Sequence, residues 1–201
     1  MKSALCKELG IEFPLFAFSH CRDVVAEVTN AGGFGVLGAV GHTPETLEIE
    51  LKWIDEKVKG KPYGVDLLIP NKMEAKEGNV TAAELEARVP PEHRAYVEGL
   101  LRSHGIETAG LWDGSFTNAF GENMRGEGAE RLLDVAFDHP IGMIVNALGV
   151  PPPSMFVRAR RKGIPVGALT GAREHAIKHA QAGVDVLIVS GTEAGLSATS
   201  T

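Results

Sequence analysis

Short apolar runs alternate with stretches of helical period along most of the chain. Phe13–Phe18 is the first run and has strand character. Arg22–Asn30 follows as a helix with apolar Val24, Val25, Ala26 and Val28, and Gly32-Gly33 stops it. Phe34–Val40 is the second run. Thr43-Pro44-Glu45 opens the next helix, with Thr43 as N-cap and Pro44 at the first helical position. Leu47, Leu51, Ile54 and Val58 hold that helix to one apolar face. Tyr63–Ile69 is the third run.

From Pro70 to about Gly128 the chain is polar and charged. Thr81 and Glu84 form a capping box for one helix, and a second helix is expected over Pro91–Ser103, closing near Gly105. Leu111–Gly126 reads as loop. Residues 70–128 therefore look like an insertion after the third strand, large enough to be a lid over a site. The alternation then resumes: helix Glu130–Phe137, run Ile141–Ala147, Pro151–Pro153 leading a helix to Lys162, run Pro165–Leu169, helix Ala172–Ala182, run Val184–Ser190.

This α/β alternation predicts one domain, residues 1–201, with a parallel sheet and helices outside. The runs are apolar throughout, as strands buried on both faces are. An open doubly wound sheet and a (β/α)8 TIM-type barrel both remain open. Six strands are counted, whereas a full barrel has eight strands over about 250 residues. In either architecture, sites lie at the C-terminal ends of the strands.

Composition narrows the class. The 201 residues are 44% hydrophobic and carry 20 Lys+Arg against 26 Asp+Glu, a net charge of −6. No apolar run reaches the roughly 20 residues of a membrane span, and the first residues lack a signal-type apolar stretch. Two cysteines, Cys6 and Cys21, argue against a disulfide framework and fit a reducing, cytoplasmic setting. Acidic balance and 6% aromatics speak against nucleic-acid binding. The 24 glycines sit at the ends of apolar runs, where turns need them.

The expected strand ends converge on one rim: Phe18-Ser19-His20-Cys21, Gly38–His42, Asp66, Asn146–Gly149, Thr170-Gly171 and Ser190–Gly195. Such small and polar residues can bring backbone N–H groups to a phosphate, although many βα turns share that composition. His20 is either a base, a cofactor contact or a polar turn residue. Cys21 has no evident device to stabilise a thiolate and reads as a small buried residue. His175 and His179 have i,i+4 metal spacing but no third ligand, so they read as a solvated helix face, with Ala172, Ala176, Ile177 and Ala180 packed; no metal is expected. The basic run Arg158, Arg160, Arg161, Lys162 suits a helix C-terminus. Glu193, between glycines, suits a ligand or the loop itself.

Asn30-Ala31-Gly32-Gly33-Phe34-Gly35-Val36-Leu37-Gly38 resembles the NAGG(L/F)G-x-(L/I)-G stretch of the nitronate monooxygenase (2-nitropropane dioxygenase) family. Ala182-Gly183-Val184-Asp185 with Gly191-Thr192-Glu193-Ala194-Gly195 resembles its AGVD…G-x-EAGGH stretch, and Leu9-Gly10-Ile11 before Pro14 its opening. The second motif also resembles FMN-dependent enoyl-acyl carrier protein reductases. The resemblance implies a (β/α)8 barrel that binds FMN and oxidises alkyl nitronates with O₂. It further implies that Ala17, Phe18, Ser19 and His20 border the flavin. Asp66 falls where the family often has Asn, and Asn146, Thr170, Gly171, Gly191, Thr192 and Gly195 would line flavin or ribityl contacts.

Two departures qualify that expectation. Phe18-Ser19-His20-Cys21 stands where the family usually has P-M-A-G. After Glu193-Ala194-Gly195 the chain reads Leu196-Ser197-Ala198-Thr199-Ser200-Thr201, without the family histidine that serves as base or substrate contact. The tail has no apolar period and reads as a truncation or shifted reading frame. His20 replaces that base only if its geometry coincides. Six strands without the last two units would leave unpaired edges and exposed apolar faces, which predicts marginal stability or self-association through the edges. A flavin-dependent enoyl or CoA-thioester reductase, and an inactive remnant, are the alternatives to a nitronate oxidase.

Overall fold

The computed structural model describes residues 3–69, 89–112, 123 and 126–191. The elements run α1 (Ala4–Leu9), β1 (Phe16–Ser19), α2 (Arg22–Asn30), β2 (Phe34–Gly38), α3 (Pro44–Val58), β3 (Gly64–Leu67), α4 (Pro91–Ser103), α5 (Gly126–Asp138), β4 (Met143–Asn146), α6 (Pro153–Lys162), β5 (Val166–Thr170), α7 (Arg173–Ala182) and β6 (Val186–Val189). Each apolar run contains a strand, trimmed at its ends. The expected helix from Thr81 lies outside the described residues, as does most of Leu111–Gly126. Helix α1 had no sequence expectation. Ser3 caps it by accepting from the Cys6 N–H, and Gly10 ends it at φ 69°.

All six strands are parallel and lie in chain order, β1-β2-β3-β4-β5-β6. A doubly wound sheet reverses direction at a switch point. This sheet has no reversal, so the strands form an arc of a (β/α)8 barrel.

The arc has an apolar layer on each side. Its convex layer joins Leu37, Val65, Leu67, Ile144 and Val166 of the strands to the inward faces of the helices. Leu47, Leu51, Ile54 and Val58, the predicted stripe of α3, are all buried. Thr43 caps α3: its hydroxyl accepts from Thr46 N–H at 3.2 Å, and the Thr46 hydroxyl accepts from Thr43 N–H at 2.9 Å. On α2 the buried set is Val25, Ala26 and Thr29, while Val24 is exposed. A Cβ on Gly35 would lie 2.3 Å from the Val25 carbonyl oxygen, so the NAGGFG stretch supplies the one side chain that lets α2 lie this close to β2.

The concave layer holds Phe34, Val36, Met143 and Val145, closed at the strands' N-terminal end by Cys6, Leu9 and Ile11 from α1 and its following turn. The expectation of strands buried on both faces holds for β2, β3 and β4. It fails for β1 and β6, which alternate between exposed and half-buried residues because each has a neighbour on only one side.

Candidate functional site

Among the described residues, Gly38, Asp66, Asn146, Thr170 and Gly171 lie at or just past the C-terminal ends of their strands. Gly38 of β2 is in register with Asp66 of β3, and Asp66 with Val145 of β4. Val145 belongs to the concave layer, so Asp66 faces the concave side as the last such residue of its strand. Its side chain is buried, at 7% residue exposure. Its Oδ1 has no hydrogen-bond partner, the only such buried side-chain atom among the described residues. Burial without a neighbouring cation pushes its carboxyl up to about 8. At neutral pH this carboxyl is therefore mostly protonated.

The turn after β1 covers the end of β2. His20 Nδ1 lies 3.0 Å from the Gly38 carbonyl oxygen, and its ring meets Phe18 edge-on, with centroids 5.0 Å apart. A Cβ on Gly38 would strike Phe18 Cζ at 2.5 Å and His20 at 2.7 Å, so the two rings occupy the space in front of that glycine. Phe18 remains 56% exposed on its other side. Ala17 is half-buried in β1. Ser19 Oγ accepts from the Cys21 N–H at 3.0 Å, which sets the entry to α2. Cys21 departs from expectation: it is exposed, because it is the N-cap residue of α2, outside the packed helix face.

Asn146 is fully buried and its amide is engaged by backbone. Its Oδ1 accepts from Ile69 N–H at 2.9 Å, and its Nδ2 donates to the carbonyls of Ile69, Leu148 and Gly149. It therefore ties the chain leaving β3 to the loop leaving β4. Thr170 is buried, with Oγ1 3.1 Å from His179 Nδ1. His179 corrects the expectation of a solvated helix face: it is buried at 2% exposure, whereas Ile177 and Ala180 are exposed. Ala172, Ala176 and His179 share i,i+4,i+7 spacing, a signal that the His175/His179 pair obscures. Burial and the neighbouring His175 lower the His179 pKa, which keeps the imidazole neutral. No group of three or more potential metal ligands occurs among the described residues.

Gly171 and Gly191 are exposed at the ends of β5 and β6. Thr192, Glu193 and Gly195 lie outside the described residues. One rim contact had no sequence signal: Asn123 Nδ2 donates to the carbonyls of Val40 at 2.8 Å and His42 at 2.7 Å, fastening the segment before α5 to the loop after β2.

A parallel arc wound in one direction, with an unpartnered buried carboxyl near its C-terminal rim, defines a βα-barrel protein, and that rim is where the fold carries its ligand sites. The nitronate monooxygenase family model matches residues 2–198, and the chain belongs to that family. It is 48% identical over 196 residues to the Mycobacterium tuberculosis protein Rv1533, whose name assigns it provisionally to the monooxygenases; the match covers 97% of this chain and 52% of that protein. It is 25% identical to a Staphylococcus saprophyticus protein named a probable nitronate monooxygenase, covering 93% of this chain and 48% of the other. Among solved structures, it is similar to a nitroalkane oxidase from Streptomyces ansochromogenes at TM-score 0.62 and 25% identity, covering 96% of this chain and 49% of that one. A FabK variant from Thermotoga maritima shares the fold, at TM-score 0.61 and 18% identity, with 96% and 47% covered. The chain thus spans about half the length of the relatives it matches. No helix among the described residues is long and apolar enough to cross a membrane.

Proposed function

We infer that this chain contributes to FMN-dependent oxidation of alkyl nitronates with O₂. The family match over residues 2–198 carries this reading. The strand-end rim fits the apolar ring of a flavin with its polar edge. Val36 and Val145 make an apolar floor, and the unpartnered Asp66 Oδ1 offers a hydrogen bond beside it. Asp66, in its protonated form, would donate to a ring acceptor. Ala17, Phe18 and Ser19 would border the ring, with the backbone of Thr170, Gly171 and Gly191 along its far side, since the Thr170 hydroxyl is turned to His179; Thr192 and Gly195, outside the described residues, are proposed as further contacts. Asn146 would act by holding the loops after β3 and β4 in place, since its amide is engaged by backbone. Bound FMN would supply the electron transfer between nitronate and O₂.

Residues 70–128 are proposed as an insertion covering this rim, supported by the Asn123 bonds to the loop after β2. The same segment favours a second reading, a flavin reductase for a larger enoyl or CoA thioester. Helix α4 has no buried residue and leaves Tyr96 and Leu100 exposed, an apolar surface suited to a long acyl chain.

Flavin released by heating the purified chain, with and without added FMN, tests cofactor binding. Oxygen uptake with propyl-2-nitronate and NAD(P)H consumption with an enoyl thioester then separate the two readings. The nitronate reading expects near-stoichiometric FMN and nitronate-dependent oxygen uptake. Absence of flavin even in excess FMN, or turnover confined to the thioester, overturns it.

A further inference from the structure

We propose that Phe18 and His20 are specificity-determining residues: they form an aromatic wall that closes the site over the end of β2 and limits it to nitronates with short alkyl chains. This rests on the nitronate reading above and narrows the substrate class within it. Phe18 is in register with Val36, a residue of the concave layer, so its ring projects to the concave side as the last such side chain of β1. Phe16, two residues earlier, shares that side, with its ring 5.4 Å from the ring of Phe34 in the same layer. Gly38 is the next concave-facing position after Val36 on β2, and it is in register with Asp66. It brings no side chain to the site. The space is taken by Phe18 Cζ and the His20 imidazole, which a Cβ on Gly38 would meet at 2.5 Å and 2.7 Å.

The wall is braced on three sides. His20 Nδ1 lies 3.0 Å from the Gly38 carbonyl oxygen, which sets the imidazole plane. The imidazole meets Phe18 at 82°, with centroids 5.0 Å apart, an edge contact that holds both rings. Ser19, between them, accepts from the Cys21 N–H and ties down the turn that carries them. The P-M-A-G pattern usual in the family at these four positions has no aromatic side chain, so the wall is a departure of this chain. Its consequence is a reversed trend. Apolar transfer alone strengthens binding roughly fourfold for each buried methylene, so a longer alkyl group is the better ligand in an open pocket. A chain that meets two fixed rings loses that gain, because packed rings do not yield without strain.

The test compares ethyl nitronate with hexyl nitronate on the FMN-loaded chain. Dissociation constants are taken without oxygen by saturation-transfer NMR, a readout that needs no turnover. The wild type should bind hexyl nitronate no more tightly than ethyl nitronate. Phe18→Ala should raise the preference for the hexyl compound by roughly 10-fold or more, the least that one methylene of apolar pocket is worth. Phe18→Leu keeps part of the bulk and should fall between, which covers the case of an alanine variant that does not fold. His20→Ala removes the brace and should shift the preference in the same direction. A wild type that already prefers the hexyl compound, or an unchanged ratio in the Phe18 variants or in His20→Ala, overturns the proposal. Oxygen uptake on ethyl nitronate by the same wild-type sample reads the underlying function separately. Uptake with a ratio indifferent to Phe18 sinks the wall and leaves the oxidase reading standing; a ratio that follows Phe18 without uptake does the reverse. Failure to bind either nitronate sinks both.

Discussion

His139 shows how a single residue can set a pH dependence away from the rim. It sits just past α5, with Nδ1 2.6 Å from Asp55 Oδ2 and Nε2 3.0 Å from Glu48 Oε2, both on α3. Tyr63 donates to the other Asp55 oxygen at 2.7 Å, and Lys162 donates to the His139 carbonyl at 3.3 Å. Burial alone would lower the His139 pKa. The hydrogen bonds and charges of Asp55 and Glu48 outweigh burial and hold it above its ordinary value of 6.5. The folded chain therefore binds this proton more tightly than the unfolded chain. The resulting stabilisation is fully present below about pH 6.5 and is lost as pH rises through the higher folded-state value. Urea midpoints of the wild type should fall over that window more steeply than those of His139→Gln; parallel profiles would refute the assignment. Neither His139 nor the open state of Asp66 was legible in the sequence. Both depend on which elements pack together, α5 on α3 and β2 beside β3, and residue spacing does not encode that. His179 was partly legible: its i,i+4,i+7 stripe was there, but the pairing with His175 suggested a solvated face.

At the scale of elements, Asp185 locks three segments together. Its carboxylate accepts from Arg160 Nη1 at 2.9 Å to both oxygens and from the Val166 N–H at 2.9 Å. The last turn of α6, the first residue of β5 and the approach to β6 therefore meet on one side chain. Arg160 also donates to the Gly183 carbonyl at 3.0 Å, at the end of α7. Asp185→Ala leaves the Val166 N–H without its acceptor and should cost about 2 kcal/mol. Arg160→Ala removes a half-exposed ion pair and should cost about 0.5 kcal/mol. Equal losses in chemical unfolding would mean that the ion pair, rather than the backbone bond, holds the corner. The AGVD stretch was legible as a motif, but its aspartate proves to be a corner brace. The same holds for the elements in general. Central strands announced themselves by continuous apolar runs, and α3 by Thr43, Pro44 and its four-residue stripe. Helix α1 was missed because six residues offer too short a period to read. The exposure of β1 and β6 side chains follows from their place at the ends of the sheet, which their apolar sequences conceal.

At the scale of the whole molecule, the strand order in the sheet decides the architecture and exposes its weak points. Within the described sheet, β1 bonds only to β2 and β6 only to β5, so each presents one row of unpaired backbone groups. The side chains there are apolar. Phe13, Leu15 and Phe18 are exposed around β1, and Leu187 and Val189 on β6, the last at 73%. On β6 the alternate residues Val186 and Ile188 pack on the concave layer, so Leu187 and Val189 belong to the convex side, where other strands of this arc are covered by helices. Backbone edges and apolar faces coincide at both ends of the arc, and that combination favours pairing with another strand edge over solvation. We therefore expect the 201-residue chain on its own to self-associate through these edges. Its sedimentation mass should rise with concentration, and the pair Leu187→Lys with Val189→Lys should lower that rise, since lysine on an outer strand opposes edge pairing. The substitutions leave the inward-facing Val186 and Ile188 in place, so thermal melting should change little while the mass shifts. A constant monomer mass at every concentration, shared by wild type and double variant, would show that the edges are satisfied within the chain itself.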